Sequence, residues 1–254
     1  MNAESNHEGA EQTCPAVIVM LKAPRAGTVK TRLTTLLPEE SAAALARCFA
    51  QDTIAKAKSV AARVIVAYAP ADGRRELETF LPDNLHWIEQ RGHDLGARLT
   101  AAAAEATAAN FAPFVVIGTD SPTLPVAFIS EALRALAANE CDVALGPADD
   151  GGYYLIGLRQ FVPDLFQNIA WSTPLTYEQT ARNATILNQR ILRLPVWYDV
   201  DTPLDLLRLR AELNADREAQ TCAPATRRWM LAHDSLLESF AAPDCFDRTA
   251  RTGA

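Results

Sequence analysis

Five stretches of this chain set acids, bases and glycines where a ligand could use them. KAPRAGTVKTRL, Lys22 to Leu33, packs four Lys or Arg and one Gly into twelve residues and ends near a Lys-Thr pair. A phosphate-wrapping loop of the G-x-x-x-x-G-K-[ST] kind needs glycines that let backbone N–H groups surround the phosphates. Here Val29 precedes Lys30 and Gly27 is the single glycine, so that wrap is not available. The looser alternative uses Lys22, Arg25, Lys30 and Arg32 as point charges and forks for a diphosphate or triphosphate, with Gly27 allowing close backbone approach. A solvated basic turn is the plain alternative.

The other four stretches add an acidic half. QRGHDLGARL, Gln90 to Leu99, offers Gly92 and Gly96 for close approach, Asp94 as a helix cap and Arg98 as a guanidinium. GTDSPTLP, Gly118 to Pro125, puts Asp120 just past an apolar run, where it can hold Mg²⁺ or Mn²⁺ or cap the following turn. GPADDGGYYLIGL, Gly146 to Leu158, pairs Asp149 and Asp150 ahead of Gly151 and Gly152. Either acid could hold a hydroxyl or act as a base, and a hairpin turn is an equally economical account. WYDVDTPLDL, Trp197 to Leu206, sets Asp199 and Asp201 two apart, on one face if extended, so that one of them could join Asp120 on a metal. Trp171, Ser172 and Thr173 are candidates for the acceptor side, with an ordinary packed Trp as the plainer account. His86 and His93 lack partners at metal-ligand spacing, His7 and His233 lie outside the patterned region, and no G-x-S-x-G elbow occurs.

Elements that would position these residues alternate along the chain. Ala16 to Leu21, Arg63 to Ala69, Leu85 to Gln90, Pro113 to Gly118, Cys141 to Pro147, Tyr153 to Leu158 and Arg193 to Val200 read as strands. Pro38 to Ser59, Gly73 to Phe80, Asp94 to Asn110, Pro125 to Asn139, Pro174 to Leu187, Pro203 to Asn214 and Ala225 to Phe240 read as helices. Continuous apolar strands are buried on both faces, which predicts an α/β fold with a mostly parallel sheet and helices on each side. Ligands of such sheets sit outside the carboxyl ends of the strands, where the five stretches fall.

Composition narrows the partners. With 254 residues, 49% hydrophobic and 22% charged, the chain has an ordinary globular make-up. A net charge of -7 argues against nucleic-acid binding by counterion release and leaves room for a small anion in a local basic cluster. No apolar run approaches the roughly 20 residues of a membrane span, the polar start is unlike a signal peptide, and five scattered Cys form no C-x-x-C; a cytoplasmic location is expected. Residues 1–14 read as a disordered tail, 15–214 as one domain and 215–254 as a helical extension. Its late helix can pack on the domain, form a homodimer or cover the acceptor site.

Taken in order, KAPRAGTVKTRL, QRGHDLGARL, GTDSPTL, GPADDGGYYLIGL and DVDTPLDL resemble a bacterial family of glycosyltransferase-A-like proteins in the nucleotide-diphospho-sugar transferase superfamily. The chain is more distantly similar to molybdenum-cofactor and phospholactate guanylyltransferases. The resemblance spans Ala16 to Asn214 and implies a three-layer α/β/α glycosyltransferase-A fold. By similarity, Lys22, Gly27, Lys30 and Arg32 would cradle nucleotide phosphates, and Gln90, Gly92 and Arg98 would border the nucleotide. Asp120 and Asp201 would hold Mg²⁺ or Mn²⁺. The paired glycines of the guanylyltransferase first loop, L-x-G-G-x-x-x-R-M-G-x-x-K, are absent here. The implied function is metal-dependent glycosyl transfer from a nucleotide-sugar to a small acceptor, with Asp149 or Asp150 as the acceptor's base. The alternatives are nucleotidyl transfer from a nucleoside triphosphate to a small phosphorylated substrate, and a non-catalytic nucleotide-binding module.

Overall fold

The computed structural model describes residues 14–241, so most of the expected N-terminal tail and the last residues of the extension lie outside the described residues. Seven strands form one sheet: β1 Ala16–Lys22, β2 Arg63–Ala69, β3 His86–Glu89, β4 Phe114–Ile117, β5 Val143–Pro147, β6 Tyr153–Leu158 and β7 Ile191–Arg193. Their order is β3-β2-β1-β4-β6-β5-β7. The sheet is parallel except at β6, which runs antiparallel to both β4 and β5. Two reversals restore direction, so β5 runs parallel to β4 and the β5–β6 turn opens on the same edge as the carboxyl ends of β1 to β4.

The pleat divides β1 between two cores. Val17, Val19 and Leu21 face one side, packed with Ala50, Ile54 and Ala57 of α1 (Glu39–Val60) and Ile129 and Leu133 of α4 (Val126–Ala137). Ala16 and Ile18 face the other, packed with Leu99, Ala102 and Ala106 of α3 (Leu95–Ala108) and Ala181 and Ala184 of α5 (Thr176–Ile186). This is the expected three-layer α/β/α arrangement. Between α1 and α3 comes only a short helix, α2 Arg74–Glu78, preceded by a 3-10 turn.

Two element predictions need correction. The late strand expected over Arg193 to Val200 is confined to Ile191–Arg193, because Pro195 has no N–H to give the ladder. The chain still follows β5: Leu194 N–H donates to Leu145 O at 2.9 Å and Trp197 N–H to Pro147 O at 3.0 Å. The single late helix is instead part of a chain of short ones. After α6 Pro203–Ala215 come α7 Arg217–Cys222, α8 Pro224–Ala232 and α9 Asp234–Ala241. They pack on α1 around Phe49, Leu206, Leu209, Trp229 and Met230. Buried Asp52 of α1 accepts from the Ala225 and Thr226 N–H groups, supplying the cap that α8 lacks in its own residues. No helix among the described residues is long and apolar enough to cross a membrane.

At the opposite, amino end of β5, Asp142 ties three elements together. It accepts from Arg190 Nε and Arg159 Nε, each at 2.8 Å, and from Arg190 N at 3.1 Å. The Arg190 hydrogen bonds hold its carboxyl well below the usual carboxylate range despite its burial. Asp142→Ala is expected to cost about 2 kcal/mol at pH 7, below the usual figure for a broken buried pair because both arginines reach solvent. A depressed carboxylate stabilises above its unfolded pKa, so the loss disappears only as pH falls below about 4. Urea titrations at pH 7 and in acid check this; equal losses at both would contradict the charge argument.

Candidate active site at the carboxyl edge of the sheet

Each loop at the carboxyl edge brings a side chain. After β1, Lys30 sits in the left-handed region at φ 48°, opening the 3-10 turn Thr31–Thr35. That backbone directs its side chain inward, where it is only 5% exposed. Lys30 Nζ donates to Val200 O at 2.8 Å and Asp201 Oδ1 at 3.0 Å, and pairs with Asp120. Burial works against this ammonium, but Asp120 and Asp201 outweigh it and hold its pKa above the ordinary lysine value. Val200 N–H also donates to Asp120 O at 2.8 Å, fastening the late acids to the post-β4 loop. The structure thus brings Lys30, Asp120 and Asp201 together, with the lysine bonded to both acids as their counter-cation.

Beside this triad lie two adjoining recesses of about 410 and 380 Å³. Lys22, Thr28, Gln90 and Arg98 line both. Arg25 and Gly92 border the first, and Lys30, Asp120 and Asp201 the second. Together they have the size of an ordinary ligand cleft. Lys22 Nζ leans on Thr28 O at 2.7 Å, and Arg25 is turned away to Asp72 and Glu76. Gln90 Nε2 donates to Ala67 O at 2.6 Å. Gly92 has φ 136°, and a Cβ there would stand 2.8 Å from Arg98 N, so only glycine fits this turn. Arg98 Nε in turn holds Gly92 O at 3.2 Å. Gly27, at φ 71°, and exposed Arg32 border neither recess.

The remaining acids divide. Asp149 pairs with Arg208 of α6 at 2.8 Å, and Asp150 Oδ1 accepts from Gly152 N–H at 2.8 Å, bracing its own loop. Asp199 is the acid that sequence reasoning undervalued. Ser121 Oγ donates to its Oδ1 at 2.5 Å, and its carboxyl is pushed up to about 7 by burial, helped by the charges of Asp120, Asp201 and Asp150. Trp171 packs rather than lining an open acceptor side: it stacks on Phe166, meets Tyr153 edge-on and occupies the space a side chain at Gly96 would need.

Lys56 of α1 went unnoticed in the sequence. It is buried, its pKa is lowered to about 8 by that burial, and Nζ donates to Pro122 O at 2.5 Å and Ser121 O at 3.3 Å. It therefore braces the loop that carries Asp120. A Lys four residues after Asp52 on an otherwise apolar helix face was the available signal.

Among the described residues no group of three or more His, Cys, Asp or Glu is arranged to hold a metal. Asp120 and Asp201, 48% and 42% exposed, supply two carboxylates at one point. That donor set fits Mg²⁺ or Mn²⁺, which take one or two carboxylates and complete their shell with water and substrate phosphate oxygens.

Comparison with known proteins gives three kinds of result. The sequence model of a bacterial family, described as an uncharacterized protein conserved in bacteria (DUF2064), matches residues 53–173. No curated protein matches the chain. Among solved structures, a protein of Desulfovibrio desulfuricans G20 named as a candidate nucleotide-diphospho-sugar transferase is 32% identical, with a TM-score of 0.82 over 90% of this chain and 99% of that one. Two more distant structures share the fold. Rv0371c from Mycobacterium tuberculosis H37Rv, in complex with manganese, is 16% identical, with a TM-score of 0.50 over 77% of this chain and 97% of that one. CMP:2-keto-3-deoxy-manno-octonic acid synthetase, complexed with CTP, is 12% identical, with a TM-score of 0.51 over 80% and 99%. With a third of its residues shared across nearly the whole Desulfovibrio protein, the chain belongs to that bacterial family of glycosyltransferase-A-like proteins, within the nucleotide-diphospho-sugar transferase superfamily.

Proposed function

We propose that the chain is a transferase acting on an activated nucleotide, and that it moves a sugar from a nucleotide-sugar to a small acceptor. The observation that carries this reading is the Asp120–Asp201 pair abutting a cleft lined by Lys22, Gln90 and Arg98. The name of the Desulfovibrio relative supports it, as do the CTP and manganese in two proteins of the same fold. Lys22 and Arg98 bind the diphosphate, and Gln90 and Gly92 border the nucleoside. Gly27 shapes the first loop, and Arg32 attracts the anion from outside the recesses. A Mg²⁺ or Mn²⁺ on Asp120 and Asp201 would neutralise charge on the leaving diphosphate. Lys30 keeps the two acids converged on one point.

In the transfer, the acceptor hydroxyl oxygen bonds to the anomeric carbon as that carbon's bond to the diphosphate oxygen breaks. The nucleoside diphosphate leaves with the electron pair, and the hydroxyl proton passes to Asp150 or Asp149. Asp150 acts on Asp199 electrostatically, whereas Asp149 is held by Arg208.

A thermal-shift panel of nucleotide-sugars and nucleoside triphosphates, with and without Mg²⁺ or Mn²⁺, tests the reading. A ligand at about a hundred times its dissociation constant adds roughly 2.7 kcal/mol. Asp120→Asn is expected to abolish the metal dependence of that shift. Absence of any shift defeats the proposal, and pyrophosphate as the released product would replace glycosyl with nucleotidyl transfer.

A further inference from the structure

A third cavity, of about 250 Å³, lies on the α3 side of the sheet behind the acids. Its walls are Met20 of β1, Leu95 and Leu99 of α3, Val116 of β4, and Tyr153 and Ile156 of β6. At its mouth stand Asp120, Ser121 and Asp199. It meets the nucleotide cleft directly, since Met20, Leu95, Thr119 and Asp120 border both.

Two observations mark this space as made for a ligand. Leu95, in the first turn of α3, is 40% exposed where the two cavities join, an apolar side chain that the core does not use. Gly118 lines the cavity and needs its small size for nothing else. Every other described glycine has a positive φ or an atom within about 3.1 Å of where a Cβ would stand, but a Cβ on Gly118 would meet only Asp120 N, at 4.0 Å. Its φ lies outside the left-handed region, so neither backbone nor packing demands glycine; what glycine preserves is open volume.

We propose that this cavity is the acceptor subsite and that the acceptor is a small alcohol with an apolar body, its hydroxyl at the Asp120–Ser121–Asp199 mouth. This rests on the transfer reading for the word acceptor, though not for the binding itself. An apolar cavity of 150 Å³ admits benzene, so this one holds a body of roughly ten heavy atoms. Partners for hydroxyls stand mainly at the mouth, among Thr119, Asp120, Ser121 and Asp199, so the body of the cavity favours an apolar group over a polyol.

The test uses 2-phenylethanol and geraniol as probes, with glucose and glycerol as polar controls, in saturation-transfer NMR and calorimetry on the whole protein. Both alcohols are expected to bind and both polyols to fail. In the series Gly118→Ala, Gly118→Val, Gly118→Leu, alcohol affinity should fall with side-chain volume, at least tenfold by the last folded member. The thermal shift given by a nucleoside diphosphate should stay unchanged, because Gly118 does not line the nucleotide cleft. Failure of both alcohols, binding of the polyols, or indifference to the Gly118 series overturns the proposal. A nucleotide shift without alcohol binding defeats this inference alone. Alcohol binding without any nucleotide shift upholds the pocket and defeats the transferase reading.

Discussion

Lys30→Met is expected to lower the stability of the metal-free protein by about 2 kcal/mol at pH 7 and to increase its response to divalent cations. Breaking a buried pair costs about 3–5 kcal/mol when a charge is left uncompensated inside the protein. Here the orphaned groups are two carboxylates that each reach solvent, so water screens part of their repulsion and the lower figure applies. For a chain of this size that is a fall of roughly 4–8 °C in melting temperature. In the native protein an added cation must compete with an ammonium already bonded to both acids. In the variant it meets two bare carboxylates, so Mn²⁺ should restore most of the loss and raise the melting temperature more than it does in the native protein. Asp201→Asn in the Lys30→Met background should be less harmful than the sum of the single changes, because both act on one cluster. Lys30→Arg should not substitute, since a planar fork cannot place one donor at the meeting point of two acids and a carbonyl. Melting curves in EDTA and in Mn²⁺ decide the matter; a methionine variant as stable as the native protein, or with the same Mn²⁺ response, would rule out the counter-cation role.

The same lysine shows where sequence reading stops. That Lys30, Asp120 and Asp201 belong to one edge was legible, because each follows an apolar strand or its continuation and parallel sheets gather such positions. What the pattern could not carry was the direction of the lysine. Its left-handed backbone turns it under the loop, toward Asp201 across 171 residues of chain, while Lys22 borders both recesses. Antiparallel β6 left no trace either, since buried parallel and antiparallel strands read alike. Pro195 was the visible warning against a long last strand. The tail helices divide at Ala223–Pro224 and again at His233, while Trp229 and Met230 still show the apolar face that packs on α1. The acceptor cavity was invisible because its walls come from α3 and three strands distant in sequence, and because Gly118 reads as an ordinary strand-ending glycine.

At the mouth of that cavity Asp199→Asn is expected to stabilise the metal-free protein at pH 8 by about 3 kcal/mol and to leave it nearly unchanged near pH 4. The carboxyl titrates at about 7 in the folded protein against 3.8 ordinarily, because burial and the neighbouring acids both disfavour its charge. A raised folded pKa means that the folded state holds this proton more tightly than the unfolded chain. Its contribution to stability is therefore complete below about pH 4, declines between 4 and 7, and is lost above 7, where the group is ionised in both states. Asparagine has no such titration, and its Oδ1 can accept from Ser121 Oγ as the carboxylate does. The difference between variant and native protein should thus grow across pH 4 to 7 and then level off. Urea unfolding at pH 4.5, 6 and 8 in EDTA gives the curve, and a difference independent of pH would show that Asp199 is charged and well solvated throughout. This carboxylate, which weakens the fold at neutral pH, stands at the opening of the pocket and is bonded through Ser121 to the loop that carries Asp120. Its place at the mouth fits a role in holding the ligand hydroxyl, whose proton passes to Asp150 or Asp149 in the proposed transfer.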